Sequence, residues 1–218
     1  MKTPAIHIFD MDHTLIDADC DVSWKSYAVK AGLAPADAIQ EADRFFEQYN
    51  AGKLDIGEFM LFQFREFIGR TPAEMAEHTK AHFESFIRDH CYPAALELVK
   101  SLRASGKPVA ILTSTNTAIA GPVGAYFGIG SIMGTTLEVI DGRYTGRIVG
   151  EYAAGPGKIA PAAAFAASFG LTPAEVAYYG DSINDRNILE AVGFPFAVNP
   201  SAALAALALE RNWPVIRF

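Results

Sequence analysis

Short, largely apolar runs punctuate the chain at Ala5–Phe9, Val109–Leu112, Val176–Tyr179 and Phe194–Val198. Their length and lack of polar alternation mark them as buried parallel strands. Helical patterns separate them, at Pro93–Ala104, Ala118–Phe127, Ile159–Phe169 and Ala202–Arg211. Strands alternating with helices predict an α/β fold around a largely parallel sheet. Glycine and proline mark the joints. Gly106-Lys107-Pro108 precedes one strand, and Leu171-Thr172-Pro173 sets an N-cap and a first-turn proline before a short helical turn.

Residues 16–90 break the alternation and contain no convincing strand. They read as four helices, around Val22–Ala31, Ala36–Tyr49, Ile56–Phe67 and Pro72–Arg88. Phe45, Phe46 and Tyr49, then Phe59, Phe62 and Phe64, then Phe83 and Phe86 recur at roughly helical spacing. They are expected to form the insert's own core. Asp141-Gly142 lies between two β-prone runs within Thr136–Val149, which predicts a hairpin. The organisation expected is a sheet domain of residues 1–15 and 91–218 with a helical cap, 16–90, inserted after its first strand.

The charge balance narrows the partners. The 218 residues carry 18 basic and 25 acidic side chains, a net charge of −7. A polyanionic partner such as nucleic acid is disfavoured, while a small anion at one local site is not. Cys20 and Cys91 are too few for a disulfide framework and read as reduced thiols. No basic segment leads into an apolar stretch and a cleavage site, and no run approaches 18 uninterrupted apolar residues. The expectation is a cytoplasmic protein without a membrane anchor. A homo-oligomer is compatible with the sequence.

Chemistry concentrates in four places. In Phe9-Asp10-Met11-Asp12-His13-Thr14, two carboxylates follow a buried strand, where desolvation calls for a cation or a reaction. Asp10 is placed to attack a substrate, and Asp12 to donate and later accept a proton. In Leu112-Thr113-Ser114-Thr115-Asn116 a strand ends in hydroxyls. Thr113 is the first candidate for phosphate oxygens. Ser114, Thr115 and Asn116 read first as caps and turn formers, with Ser114 a further phosphate-binding candidate. In Gly155-Pro156-Gly157-Lys158 a lysine opens a helix against the macrodipole, a local conflict that points to function. The glycine spacing is not that of a nucleotide-binding P-loop. In Tyr179-Gly180-Asp181-Ser182-Ile183-Asn184-Asp185, carboxylates again follow a buried strand and suit a hard cation such as magnesium. Asp185 would serve directly or through water. The histidines form no comparable set: His78 and His82 are one helical turn apart without a carboxylate to complete a site.

Three of these clusters, at Asp10, Thr113 and Asp181, fall at the carboxyl ends of different predicted strands. In a parallel sheet those ends share one edge, so the clusters converge on one crevice.

Taken in order, the four segments resemble the motifs of the haloacid dehalogenase (HAD) superfamily of phosphatases. DMDHT matches D-x-D-x-T, Thr113 the strand-end hydroxyl, Lys158 the lysine, and GDSIND the G-D-x-x-x-D. The insert matches a type-one cap, and nearly the whole chain is covered. The closest resemblance is to subfamily IB, the phosphoserine-phosphatase-like hydrolases. It implies a Rossmann-like core and a phosphomonoesterase that works through an aspartyl-phosphate. It also implies roles. Asp10 is nucleophile and magnesium ligand. Asp12 is the acid/base and ligates the metal through its backbone carbonyl. Thr113 and Lys158 bind the phosphoryl group. Asp181 binds Mg2+, and Asp185 supports it.

One difference from phosphoserine phosphatases bears on the substrate. Their glutamate nine positions after the nucleophile is here Asp19, within Asp17-Ala18-Asp19-Cys20-Asp21. The position expected for their carboxylate-reading arginine falls near Leu61, with Arg65 a turn away. Asp19 and Arg65 are therefore the substrate-binding candidates. Relatives of this type act on histidinol phosphate, whose cationic amine and imidazole suit the acidic loop. The competing readings are a phosphotransferase with an alcohol acceptor and a non-catalytic phosphometabolite-binding protein.

Overall fold

The computed structural model describes residues 3–50, 53 and 55–218, with the side chains of residues 46, 49 and 50 outside that description. The predicted aromatic positions Phe46 and Tyr49 thus lie outside the described residues. In chain order the elements are β1 (Ile6–Phe9), α1 (Cys20–Lys30), α2 (Ala38–Asn50), α3 (Ile56–Phe64), α4 (Pro72–His82), α5 (Pro93–Ala104), β2 (Val109–Asn116), α6 (Thr117–Phe127), β3 (Ser131–Ile140), β4 (Arg143–Val149), α7 (Ile159–Ala167), β5 (Val176–Gly180), α8 (Arg186–Ala191), β6 (Phe194–Val198), α9 (Ala202–Arg211) and β7 (Val215–Ile216).

These strands form one sheet in the order β4-β3-β2-β1-β5-β6-β7. All neighbours are parallel except β3 and β4. From β1 the chain builds outward through β2, β3 and β4 on one side, then returns to build β5, β6 and β7 on the other. The order therefore reverses between β1 and β5. Ligands of open α/β sheets bind beyond the carboxyl ends of the strands at such a reversal.

Alternation along the strands serves both faces. Ile6, Ile8, Ala110, Leu112, Val176 and Tyr178 face a core completed by α7, α8 and α9. Phe9, Ile111 and Tyr179 face the opposite core, completed by α5 and α6. There Phe9, Tyr179 and Phe196 stack across β1, β5 and β6, with centroids 4.2 and 4.7 Å apart and planes within 8°. Such ring pairs contribute roughly 0.5–1.5 kcal/mol each beyond their burial.

The hairpin forms as the Asp141-Gly142 signal indicates, with φ of 51° and 74° at the two turn residues. Its first strand begins earlier than expected, at Ser131, because β3 also pairs in parallel with β2. Strand β2 continues past Leu112 to Asn116, which pairs with Thr135 beyond a register irregularity. The two-residue β7 carries too little pattern to be read in advance.

Between β1 and α5 lie the helices α1 to α4, as expected, each with a cap written in the sequence where one is described. Asp19 accepts from Val22 N–H at the start of α1, and Thr71 and Glu74 form a reciprocal capping box at α4. The core of the insert differs from the expectation of a separate one. Trp24, Phe64, Phe67, Met75 and Phe83 join the same cluster as Phe9 and Tyr179. Among the described residues, Ala42, Phe45 and Phe62 form a distinct buried group, with Phe59 packed on it. The insert is also stitched to the hairpin: Gly69 N–H donates to the Tyr144 carbonyl and Tyr144 N–H to the Arg70 carbonyl, each at 2.9 Å. Among the described residues, no helix is long and apolar enough to cross a membrane.

Candidate active site

The strand order sets Asp10 and Asp181 on adjacent strands at the reversal point. Asp10 follows β1 directly, and its N–H donates to the Tyr179 carbonyl at 2.8 Å, which extends the ladder to the site. Asp181 follows β5, and its carbonyl accepts from Ser201 N–H at 2.9 Å. Asp185 closes the short helical turn Ile183–Asp185 and is buried. Oxygens of Asp10, Asp181 and Asp185 lie within 4.8 Å of one another.

Lys158 joins two of these carboxylates. It is buried, at the end of the tight turn Gly155–Lys158. Its Nζ donates to Asp10 Oδ1 at 3.1 Å, to Asp185 Oδ1 at 2.7 Å and to Tyr178 Oη at 3.0 Å. Tyr178 Oη in turn donates to Asp185 Oδ1 at 3.0 Å. Glycines make the approach possible. A Cβ on Gly157 would collide with the Tyr152 carbonyl, and one on Gly180 with Asp185 Oδ2.

The electrostatics are unbalanced. Burial pushes the Asp10 carboxyl up to about 7, with Lys158 pulling the other way and Asp185 and Asp12 adding to the rise. Burial, then Asp10 and Asp185, push Asp181 up to about 8. Burial works against the charge on Lys158, yet Asp10 and Asp185 hold its pKa well above the usual lysine range. Three carboxylates thus share one fixed cation. Asp185 Oδ2 is buried with no hydrogen-bond partner among the described residues. An orphaned carboxylate oxygen beside two more is a donor set that fits a hard divalent cation.

Asp12 is held apart from that trio. Its Oδ1 accepts from Cys20 N–H at 3.0 Å and its Oδ2 from Thr115 Oγ1 at 2.7 Å. Burial, then the nearby Asp19, push its carboxyl up to about 6. His13, between Asp12 and the buried Thr14, adopts a left-handed φ of 55°. That turn leads the chain into Asp19, the cap of α1.

The remaining sequence candidates divide. Thr113 is fully buried, and its Oγ1 accepts from Thr115 N–H at 3.1 Å. Ser114 lines the cleft above Asp10, and so do Asp19 and Asp21. Arg65 is not brought to that cleft. Its guanidinium pairs instead with Glu41 of α2 at 2.9 Å and with the adjacent, buried Glu66 at 3.0 Å, which hold it by charge. Gln63 reaches the cleft wall instead. Among the described residues, Tyr178 and Thr115 hydrogen-bond to the candidate residues yet escape a linear reading. Tyr178 sits inside an apolar strand, where only its hydroxyl hints at a polar role. Thr115 looks like a turn former, although its two-residue spacing from Thr113 sets both on one side of an extended segment.

Comparison with known proteins agrees with this geometry. Residues 8–190 match the haloacid dehalogenase-like hydrolase family. A histidinol-phosphatase of Neisseria meningitidis serogroup C (strain 8013) is 37% identical over 216 residues, covering 97% of both chains. Phosphoserine phosphatase SerB1 of Mycobacterium tuberculosis (strain ATCC 25618 / H37Rv) is 29% identical over 220 residues, covering 98% of this chain and 71% of the relative. The crystal structure of a Bordetella pertussis Tohama I protein of unknown function superimposes with a TM-score of 0.90, at 34% identity and 99% coverage of both chains. A substrate-bound phosphoserine phosphatase shares the fold, with a TM-score of 0.71 at 18% identity over 99% of this chain and 94% of that one. The chain belongs to the haloacid dehalogenase-like hydrolases, in their phosphatase branch.

Proposed function

We propose that the protein is a Mg2+-dependent phosphomonoesterase that acts on a small amino-alcohol phosphate, of the histidinol phosphate or phosphoserine kind, through an aspartyl-phosphate on Asp10. The observation that carries this reading is the meeting of Asp10, Asp181 and Asp185 around Lys158, with Asp185 Oδ2 left unpartnered. Asp10, Asp181 and Asp185 would hold the ion, which would offset phosphate charge as a Lewis acid.

The chain's own residues supply the rest. Lys158 lowers the repulsion between Asp10 and an incoming phosphate dianion, and Ser114 and Thr113 bring donors to its oxygens. Asp10 Oδ attacks phosphorus in line, and the bond to the leaving alkoxide breaks as Asp12 donates its proton. Asp12, now ionised, takes a proton from water, which attacks the acyl phosphate and frees Asp10 and inorganic phosphate. The two hydrogen bonds on Asp12 keep its carboxyl aimed through both steps.

In this reading residues 16–90 act as a cap over a core of residues 1–15 and 91–218, and the enzyme works in the cytoplasm, consistent with free thiols at Cys20 and Cys91. Hydrolysis of p-nitrophenyl phosphate, stimulated by magnesium and abolished by chelator, tests it. A protein that binds phosphate esters without turning them over would refute it, and transfer of phosphate to an added alcohol in preference to water would favour the phosphotransferase.

A further inference from the structure

Where β2 nears the cleft it carries more residues than its neighbour β3. Leu112 pairs with Met133 and Asn116 with Thr135, so Thr113, Ser114 and Thr115 stand opposite Gly134. A bulge of this kind interrupts the ladder and re-aims side chains. Thr113 and Thr115 are buried, and half-buried Ser114 is the one that lines the cleft above Asp10. Gly134 lets the bulge pack down. A Cβ there would stand 2.8 Å from the Thr115 carbonyl oxygen and 3.4 Å from that of Thr113.

The Ser114 carbonyl, in the middle of the bulge, is met by the next side chain of β3. Thr135 is fully buried, and its Oγ1 donates to that carbonyl at 2.7 Å. The same oxygen accepts the Ala153 N–H at 3.5 Å, a longer contact. Ala153 belongs to the segment between β4 and the turn Gly155–Lys158. There Tyr152 and Ala154 line the cleft, and the Ala154 carbonyl accepts from Gly157 N–H at 2.9 Å. Gly157 in turn packs against the Tyr152 carbonyl and precedes Lys158, whose Nζ reaches Asp10. One hydroxyl therefore ties the Ser114 bulge to the turn that carries Lys158. A threonine that only satisfied its own hydroxyl would need no more than a carbonyl nearby on its own strand. Both partners of Thr135 lie on other segments, 21 and 18 residues away.

We propose that Thr135 is a positioning residue for the phosphoryl group, holding the Ser114 bulge and the Lys158 turn in one fixed relation. This role rests on the phosphatase reading above and adds a residue that does not itself line the cleft. Thr135 acts through the backbone of Ser114 and Ala153, so its effect falls on the phosphate and not on the alcohol of the substrate.

Inorganic phosphate is the direct probe, since it presents phosphoryl oxygens without an alcohol. Its Ki against p-nitrophenyl phosphate should rise about tenfold in Thr135→Val, which keeps the shape and leaves the Ser114 carbonyl without its donor. By about the same factor, kcat/KM should fall on both p-nitrophenyl phosphate and phosphoethanolamine, because the two share only the phosphoryl group. Thr135→Ser keeps the hydroxyl and should recover all but about threefold of the loss. Where Thr135→Val does not fold, Thr135→Cys, close in size and only a weak donor, is judged by the same criteria. A folded variant with a lower Tm but a phosphate Ki within about twofold of wild type makes Thr135 a structural residue only and overturns the proposal. So does a loss that differs between the two esters, which would put the effect on the alcohol. A wild-type protein that hydrolyses neither ester refutes the phosphatase reading instead. Calorimetric titration of phosphate with MgCl2 present then decides the role of Thr135: weaker binding in Thr135→Val supports it, and equal or absent binding overturns it.

Discussion

Thr115 Oγ1 donates a 2.7 Å hydrogen bond to Asp12 Oδ2, across 103 residues of chain. The bond joins the end of β2 to the loop after β1 and fixes one oxygen of the proposed acid/base. Thr115→Val keeps the shape and removes the donor. It should lower kcat on p-nitrophenyl phosphate by about tenfold or more, since loss of a hydrogen bond to a charged group costs roughly 1.5–3 kcal/mol. Thr115→Ser should restore most of the rate. Comparable kcat in Thr115→Val and wild type would remove Thr115 from the machinery.

Gly180 is the residue whose missing side chain makes room for Asp185. A Cβ there would stand 2.9 Å from both Asp185 Cγ and Tyr178 Cε1, and closer still to Asp185 Oδ2. Gly180→Ala should destabilise the fold by about 1–3 kcal/mol, the usual cost of overpacking. It should also raise the magnesium concentration needed for half-maximal activity. Chemical denaturation and a magnesium titration of the rate check the two effects separately.

The crowded carboxylates give the metal-free protein a pH signature. Asp10 and Asp181 are pushed up to about 7 and about 8. Raised carboxylate pKa values mean that the folded state holds protons the unfolded chain has released. Their contribution is therefore favourable at low pH and is lost as pH rises through 7 to 8. In the proposed enzyme a divalent cation bound by the trio would replace those protons. The rise in Tm on adding MgCl2 should be larger at pH 8.5 than at pH 6, and thermal melts with chelator or magnesium measure it. A magnesium effect that shrinks with rising pH would count against the carboxylate trio as its site.

His82 supplies a pH dependence of opposite sign. It is 1% exposed within the insert, 2.9 Å from Ser23 Oγ, and burial lowers its pKa to about 4. A depressed folded-state pKa stabilises above the unfolded value near 6.5 and loses that contribution as pH falls toward 4. From pH 7.5 to 4.5 the loss is about 2–3 kcal/mol. His82→Phe should show that much less acid destabilisation than wild type in paired urea titrations. Parallel pH profiles for the two proteins would mean that His82 protonates freely in the folded state.

The parts of this architecture that were legible in the sequence are those governed by local chemistry. Asp10 and Asp181 stand out because each follows a strand too apolar to tolerate a charge without purpose, and Lys158 because it opens a helix against the dipole. Asp141-Gly142 announces its hairpin by the positive φ both residues adopt. Relationships between distant segments were not legible. Nothing near Thr115 names Asp12 as its partner, and nothing near Tyr178 names Lys158. Arg65 lies within a turn of the expected substrate position, yet Glu41, 24 residues away in sequence, draws it aside. The aromatic spacing of the insert revealed buried faces without saying which core they enter. Trp24 and Phe67 complete the core of the sheet, while Phe45 and Phe62 face the cleft.

The proposed covalent step on Asp10 is the most direct point of test. Protein mixed with a phosphate-labelled substrate and quenched in acid within a turnover should carry label on the peptide containing Asp10. That label should be lost at neutral pH with hydroxylamine, as an acyl phosphate is. Asp10→Asn should retain no label and no turnover. Label on another residue, or full turnover by Asp10→Asn, would show that the reaction does not pass through this carboxylate.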